Sequence, residues 1–300
     1  MPVVCFDGDV AYRALTETDL STSPDWWEGR MLAQDLWRGD ETRSAVALEG
    51  GEIVGAGAIW LSRVHDDRFW LEVVVHPAHR RRGVGSGMVR HLASLRCRDL
   101  PFAARGYVGD ESLRFADALG ATTVQVVPPV RVDLKMRDAL RSDSRVQPLA
   151  GVDRSRVEAA HADMYRWVHE SWSPVRDGFA DALNEDLWNE IDVDASSVAV
   201  DSAGGILALS LVFVDSDPAL VVTETTSRAQ PDGELLVEGC VRRSLDRLSG
   251  RGHARVDFDG HVSDPHFLPT LTRLQPVGRW FRLVEIPADR APLARLARSA

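Results

Sequence analysis

The stretch from His76 to Leu92, His-Pro-Ala-His-Arg-Arg-Arg-Gly-Val-Gly-Ser-Gly-Met-Val-Arg-His-Leu, sets three consecutive arginines and three spaced glycines directly after the apolar run Phe69 to Val75. That order predicts a buried strand, a basic glycine-containing turn and an amphipathic helix. The first N–H groups of a helix have no intrahelical acceptor, and the macrodipole favours anions there, so the chemistry to expect is phosphate binding. Gly83 and Gly85 allow close backbone approach to a pyrophosphate, and the N–H groups from Arg81 to Gly87 can point at it. Arg80, Arg81 and Arg82 add positive charge at the mouth. Glu72 is the one acidic residue inside the apolar run, where burial raises a carboxyl pKa toward values useful to a general base. Strand alternation places it with Trp70, Val74 and His76.

Other chemistries find little support. Three cysteines, Cys5, Cys97 and Cys240, are widely spaced and form no CxxC or Cys/His cluster, so neither disulfides nor a metal site is expected. Cys97 has no evident histidine partner. His161 and His169 lie eight residues apart, too far along a helix to share a metal ion. With 45 acidic residues against 35 basic ones the net charge is −10, which disfavours nucleic acid and mildly favours a cationic small molecule. The chain shows no apolar run of membrane-spanning length and no signal-peptide pattern at its start, so a cytoplasmic location without membrane partners is expected.

Three hundred residues suit two domains. The two halves also repeat each other. Arg13-Ala-Leu-Thr-Glu-Thr-Asp19 and Gln147-Pro-Leu-Ala-Gly-Val-Asp153 each read as a short strand followed by a helix start. Strand pairs with glycine turns follow: 44–48 and 53–61 around Gly50-Gly51, and 198–200 and 206–214 around Gly204-Gly205. A constant offset of 152 then maps Glu72 onto Glu224, Gly87 onto Gly239 and Val89-Arg90 onto Val241-Arg242. Helical regions are expected over 23–39 and 154–191, with late helices over 110–119 and 265–274. The resulting fold class is α/β (α+β), each half a mixed, mainly antiparallel sheet flanked by helices. The expected division is 1–137, a polar linker at 138–145, and 146–300.

The turn Arg80-x-x-Gly83-x-Gly85 after the strand 69–75, with Pro77 between, resembles the acetyl-CoA signature of the GNAT N-acetyltransferase superfamily. The resemblance covers most of residues 8–134. It implies a tandem-GNAT protein whose N-terminal domain transfers an acetyl group from acetyl-CoA to a small-molecule amine by direct attack. It also implies that the pantetheine arm runs along the backbones of Val73, Val74 and Val75, and that the turn from Arg80 through Gly83, Val84, Gly85 and Ser86 holds the phosphates. Attack by a lysine-like amine, pKa about 10.4, needs a base, and Glu72 is the candidate; the superfamily's base more often shares the parity of Val73 and Val75. Superfamily members commonly protonate the departing thiolate with a tyrosine four residues before the glycine that ends the late helix. Here that position is Ala116, so either Tyr107 substitutes or the thiolate departs with water's help. The acidic and aromatic residues Asp25, Trp26, Trp27, Glu28, Asp35, Trp37 and Asp40 fall where the resemblance places the acceptor, and they suit a cationic amine or serve as packing. In the second half Asp232, Leu235 and Val237 stand at the positions of Arg80, Gly83 and Gly85, so that half is expected to be a degenerate copy. The alternatives left by the residues are a catalytically weak acyl-CoA-binding module and modification of a protein N-terminus or lysine.

Overall fold

In the computed structural model, which describes residues 4–5 and 10–287, strands outnumber helices and fall into two sheets. Val4–Cys5 (β1) and Val10–Ala14 (β2) precede a short helix, Glu17–Ser21 (α1), whose start is closed by a reciprocal box of Thr16 and Asp19. Trp37–Asp40 (β3), Thr42–Glu49 (β4) and Glu52–Leu61 (β5) follow, with Gly50 and Gly51 at φ 60° and 91° turning the β4–β5 hairpin. Next come Phe69–Val75 (β6), Val84–Ser94 (α2), Phe102–Tyr107 (β7), Glu111–Ala118 (α3), Thr122–Val127 (β8) and Arg131–Asp133 (β9). Val146–Pro148 (β10), Arg154–His169 (α4), Phe179–Asn184 (α5), Leu187–Glu190 (α6), Ser197–Val200 (β11) and Ile206–Phe213 (β12) come after them. The chain continues with Ala219–Thr225 (β13), Gly233–Gly250 (α7), Arg255–Asp259 (β14), Phe267–Arg273 (α8) and Phe281–Ile286 (β15).

The first sheet has the order β1-β2-β4-β5-β6-β7-β15-β8 and the second β10-β11-β12-β13-β14-β9. In the first, β4–β5 and β5–β6 are antiparallel and β6–β7 is parallel; in the second, β11–β12, β12–β13 and β13–β14 repeat those directions. The repeat seen in the residues is therefore a repeat of topology. Each sheet is covered on both faces, as a mixed sheet with buried strands requires. In the first, Val84, Met88, Val89 and Leu92 of α2 pack with Ile59, Phe69 and Phe102 on one face, while Leu15, Trp27, Val46, Ala56 and Val74 form the core of the other.

Two compact units result. One holds the chain through Ser62, Asp66–Thr123 and the chain from Leu283; the other holds Arg63–His65 and Val124–Arg282. Each sheet takes one strand from the far half of the sequence. Val284 and Ile286 of β15 are buried in the first unit's core, and β9 pairs antiparallel with β14 in the second sheet. The segment 138–145, read from its polarity as a linker, is packed instead. Leu134 and Leu140 are buried in the second unit's core, and the Arg141 N–H donates to the Glu238 carboxylate at 2.7 Å. The helix expected over 23–39 is also absent: only a 3-10 turn, Asp25–Trp27, forms there. Pro24 precedes that turn, Gly29 and Leu36 adopt positive φ (70° and 61°), and Trp37 has already entered β3.

Gly87 marks how closely α2 lies on the sheet. A β-carbon there would stand 2.0 Å from the hydroxyl oxygen of Tyr12, whose ring stacks on His91. In an ordinary helix interior Gly→Ala stabilises by about 1 kcal/mol, and overpacking costs about 1–3 kcal/mol. Gly87→Ala is therefore expected to lower the denaturant midpoint, and Tyr12→Phe in the same chain to recover most of the loss. A Gly87→Ala protein as stable as the parent would show that α2 is not held this tightly.

Candidate active site

The site begins where two strands part. β6 pairs with β5 along its whole length, from Leu61↔Phe69 to Gly55↔Val75, without a register shift. With β7 it pairs only through Phe69↔Phe102 and Trp70↔Ala103. From Leu71 onward β7 offers β6 no ladder partner, so the backbones of Val73, Val74 and Val75 border an opening in the sheet. Val74 is buried against Leu15 and Trp27, while Val73 and Val75 pack toward α2, so their side chains fix the strand and leave the backbone for a ligand.

The turn after β6 is built by local bonds. His76 Nδ1 accepts the Ala78 N–H at 3.2 Å and starts the 3-10 turn Pro77–His79. Arg81 and Gly83 take positive φ, 62° and 86°, and reverse the chain into α2. The first intrahelical bond runs from the Gly87 N–H to the Gly83 carbonyl at 2.9 Å, and among the described residues no backbone acceptor outside the helix takes the N–H groups of Gly83, Val84, Gly85 or Ser86. The glycines have separate causes. Gly83 has open space around it and is needed for its φ, whereas a β-carbon on Gly85 would come within 3.4 Å of Phe115 and 3.6 Å of Val75.

The three arginines differ. Arg80 bonds the Val75 carbonyl through Nε at 3.2 Å and pairs with Glu111 at 3.1 Å. Arg82 pairs with Glu49 at 2.7 Å. Arg81 has no ion pair with any described residue. The charge expected at the mouth is thus partly shared with Glu49 and Glu111. These pairs are well exposed, a class worth about 0–1 kcal/mol, and a stronger anion can displace them.

Glu72 keeps the face that alternation gives it, because β6 has no bulge. Burial pushes its carboxyl above the ordinary glutamate value, opposed by Arg30, whose Nη1 lies 3.2 Å from Oε1, and by the charge of Arg105. Arg105 lies over the Trp70 ring at 5.2 Å. The register Trp70↔Ala103 sets Tyr107, at the exposed end of β7, on this same sheet face. Ala116 is buried inside α3 and adds only packing. Of the acidic and aromatic residues expected to frame an acceptor, Trp26 stands edge-on to His76 at 5.7 Å. Asp35 is structural: its carboxylate takes the Arg43 guanidinium and the Ser44 N–H, both at 2.9 Å. Arg30 and Arg105 were not singled out from the sequence, since a loop and an inter-strand register bring them to Glu72.

The second unit closes the matching opening with its own side chains. β14 leaves β13 after Val222↔Asp259. Buried Glu224 then accepts the Phe267 N–H at 3.0 Å and pairs with His266 Nδ1 at 2.8 Å. The His266 ring stands 2.3 Å from where a β-carbon on Gly233 would be, against the first turn of α7. Glu72 and Glu224 share a sequence position but not an environment.

Residues 12–106 match the model of the acetyltransferase (GNAT) family. A mycothiol acetyltransferase of Mycolicibacterium vanbaalenii is 28% identical over 226 residues, 71% of each chain. A GCN5-related N-acetyltransferase from Sphaerobacter thermophilus shares the fold, with TM-score 0.59 at 15% identity, over 94% of this chain and 96% of that one. A tandem GNAT protein from the clavulanic acid biosynthesis pathway does so with TM-score 0.55 at 17% identity, over 83% of both chains. The family match falls on the first of the two sheets, and the two-sheet fold is that of these solved structures. Among the described residues no cluster of His, Cys, Asp or Glu could hold a metal ion, and no helix is long and apolar enough to cross a membrane.

The open N–H row and the parted strands fit a pyrophosphate joined to an extended arm. Gly83→Asp puts a carboxylate where the phosphates would sit; the site has room for the side chain, but φ 86° is left-handed backbone that strains any L residue there. Calorimetric titration with acetyl-CoA is expected to fill one site per chain in the parent and to weaken about tenfold or more in the variant, at a temperature where the variant, destabilised by about 1–2 kcal/mol through backbone strain, is still folded by circular dichroism. Equal affinity in both proteins would remove this turn from the binding site.

Proposed function

We propose that the first unit transfers an acetyl group from acetyl-CoA to the amine of a small molecule by direct attack. The observation that carries this reading is the juxtaposition of the β6–β7 opening, the unengaged N–H groups Gly83 to Ser86, and one half-buried carboxylate, Glu72, on the face beside that opening. In this reading Val73, Val74 and Val75 hold the pantetheine arm through their backbones. Arg80, Arg81, Arg82, Gly83, Val84, Gly85 and Ser86 hold the phosphates. When bound, acetyl-CoA supplies an activated acyl group as a thioester.

Glu72 takes the proton that the amine must lose. The new C–N bond forms as the C–S bond breaks, and the thiolate collects a proton from Tyr107 or from water. A thiolate of cysteine-like pKa, about 8.5, needs little help, so Tyr107 matters less than Glu72. Trp26 and Trp70 give the face aromatic walls for a cationic acceptor. The name of the mycothiol acetyltransferase relative supports an acceptor of small-molecule size. The second unit takes no part in acyl transfer here, since Glu224 and His266 occupy its matching opening.

Glu72→Gln separates chemistry from folding. Because burial raises the Glu72 pKa in the folded state, its contribution to stability is full below the ordinary value near 4.5 and is lost as pH rises through the raised one. Glutamine does not ionise and escapes that loss; the Arg30 partner it forfeits is an exposed pair worth little. At pH 7 the variant is expected to unfold at the same denaturant concentration or a higher one. Its turnover of a responsive amine should fall by about 10²–10⁴-fold, and the acidic limb of the pH–rate profile should disappear. Unchanged turnover would remove Glu72 from the mechanism. Tyr107→Phe is expected to cost less than Glu72→Gln, and most below the thiol pKa.

A further inference from the structure

The second unit has a pocket of its own, about 550 Å³, within the range of small-molecule sites. One wall is a single face of α4 and its C-cap, where Asp163, Arg166, Trp167 and the capping residue Glu170 follow helical spacing. The opposite wall is the loop after β13, including Arg228, and Val175 adds an apolar surface. That loop begins where the phosphate turn would stand in a working copy, but its later Asp232 pairs with Arg145 at 3.1 Å and the splayed strands are plugged, so no phosphate ligand competes for it.

The charges in the pocket are not equivalent. Asp163 and Arg166 neutralise each other at 2.7 Å, and the Arg166 guanidinium also lies over Phe179. The side chains of Glu170 and Arg228 make no ion pair or hydrogen bond with any described residue. Trp167 lines the same pocket and is held in place. Its Nε1–H donates to the Thr225 carbonyl at 2.9 Å, and its ring meets His266 edge-on at 6.2 Å. The pocket thus offers one uncommitted anion, one uncommitted cation and an anchored indole.

We propose that this pocket binds a zwitterionic α-amino acid with a large apolar side chain. Arg228 takes the carboxylate, whose geometry its planar fork matches. Glu170 takes the ammonium group, and Trp167 with Val175 takes the side chain. A ligand with a single charge satisfies only one of the two free groups. The site binds and does not react: the plugged strands beside it leave no place for an acyl donor. It is independent of the transferase reading of the first unit.

The test is calorimetry on the full chain without acetyl-CoA, using L-tryptophan, L-phenylalanine and L-leucine, with phenethylamine and 3-phenylpropionate as singly charged controls. One of the amino acids is expected to bind at one site, and for phenylalanine each control is expected to be weaker by about tenfold. Arg228→Ala should abolish the advantage of phenylalanine over phenethylamine, and Glu170→Gln its advantage over phenylpropionate. Gly83→Asp should leave amino acid binding unchanged, which separates this site from the transferase site. Failure of all three amino acids to bind would overturn the proposal. So would equal affinity for zwitterion and controls, or unaltered binding in both pocket variants; these surface substitutions should fold normally.

Discussion

Every functional feature of the first unit depends on β6 and β7 pairing for two residues and then separating. Buried backbone N–H and C=O groups are almost never left unpaired, so a strand that loses its neighbour inside a sheet creates a demand for another partner. The two units answer that demand differently. In the second, Glu224 reaches across with a carboxylate, accepts the start of α8 and holds His266 against α7. In the first, Glu72 pairs with Arg30 instead of a helix start, and the opening stays beside the free helix start. One topology therefore carries an open or a closed gap between the strands according to the partner that a single carboxylate takes.

The opening also has to be kept from collapsing. A sheet would ordinarily gain by pairing β7 fully with β6, and two packings oppose it. Gly106 lets α3 press onto the end of β7, with the Ser112 hydroxyl 2.9 Å from where a β-carbon would stand. On its other side β7 is followed in the sheet by β15, whose Val284 and Ile286 are buried in the same core. The first unit's sheet is thus completed by the last described strand of the chain, and the second unit's by β9 from the middle. Contacts of such sequence separation carry a high loop-closure cost, so the geometry of the opening depends on packing between distant parts of the chain.

What the residues reveal in advance follows from how local the cause is. The turn 80–87 was legible because left-handed backbone, helix start and charge are all set within eight residues; the duplication was legible because it preserves Glu72/Glu224 and Gly87/Gly239 at one spacing. The face of Glu72 followed from alternation alone, and an unbulged β6 kept it. Long-range causes were hidden. Nothing local announces that Arg30 and Arg105 converge on Glu72, or that Asp35 is spent on Arg43 and Ser44. Polarity misled at 138–145, where Leu134 and Leu140 anchor flanks whose surface residues are charged. Composition misled over 23–39, where two positive-φ residues outweigh an otherwise helix-compatible stretch.

The charge balance raises an apparent conflict, since a chain of net charge −10 is asked to hold a polyphosphate. Distance resolves it. At physiological ionic strength exposed charges are screened beyond about 8 Å, so the net charge of the whole chain matters far less at the turn than the groups beside it. Those groups are Arg80, Arg81 and Arg82, two of them resting on Glu111 and Glu49. Exposed pairs of this kind keep long side chains ordered near the turn while adding little stability of their own. In the proposed reading, a phosphate at the helix start would meet guanidiniums already in place and exchange for carboxylates that solvent can hydrate. The acidic partners would thereby lower the entropic cost of assembling the proposed site, so a net charge of −10 does not conflict with an anionic ligand at this turn.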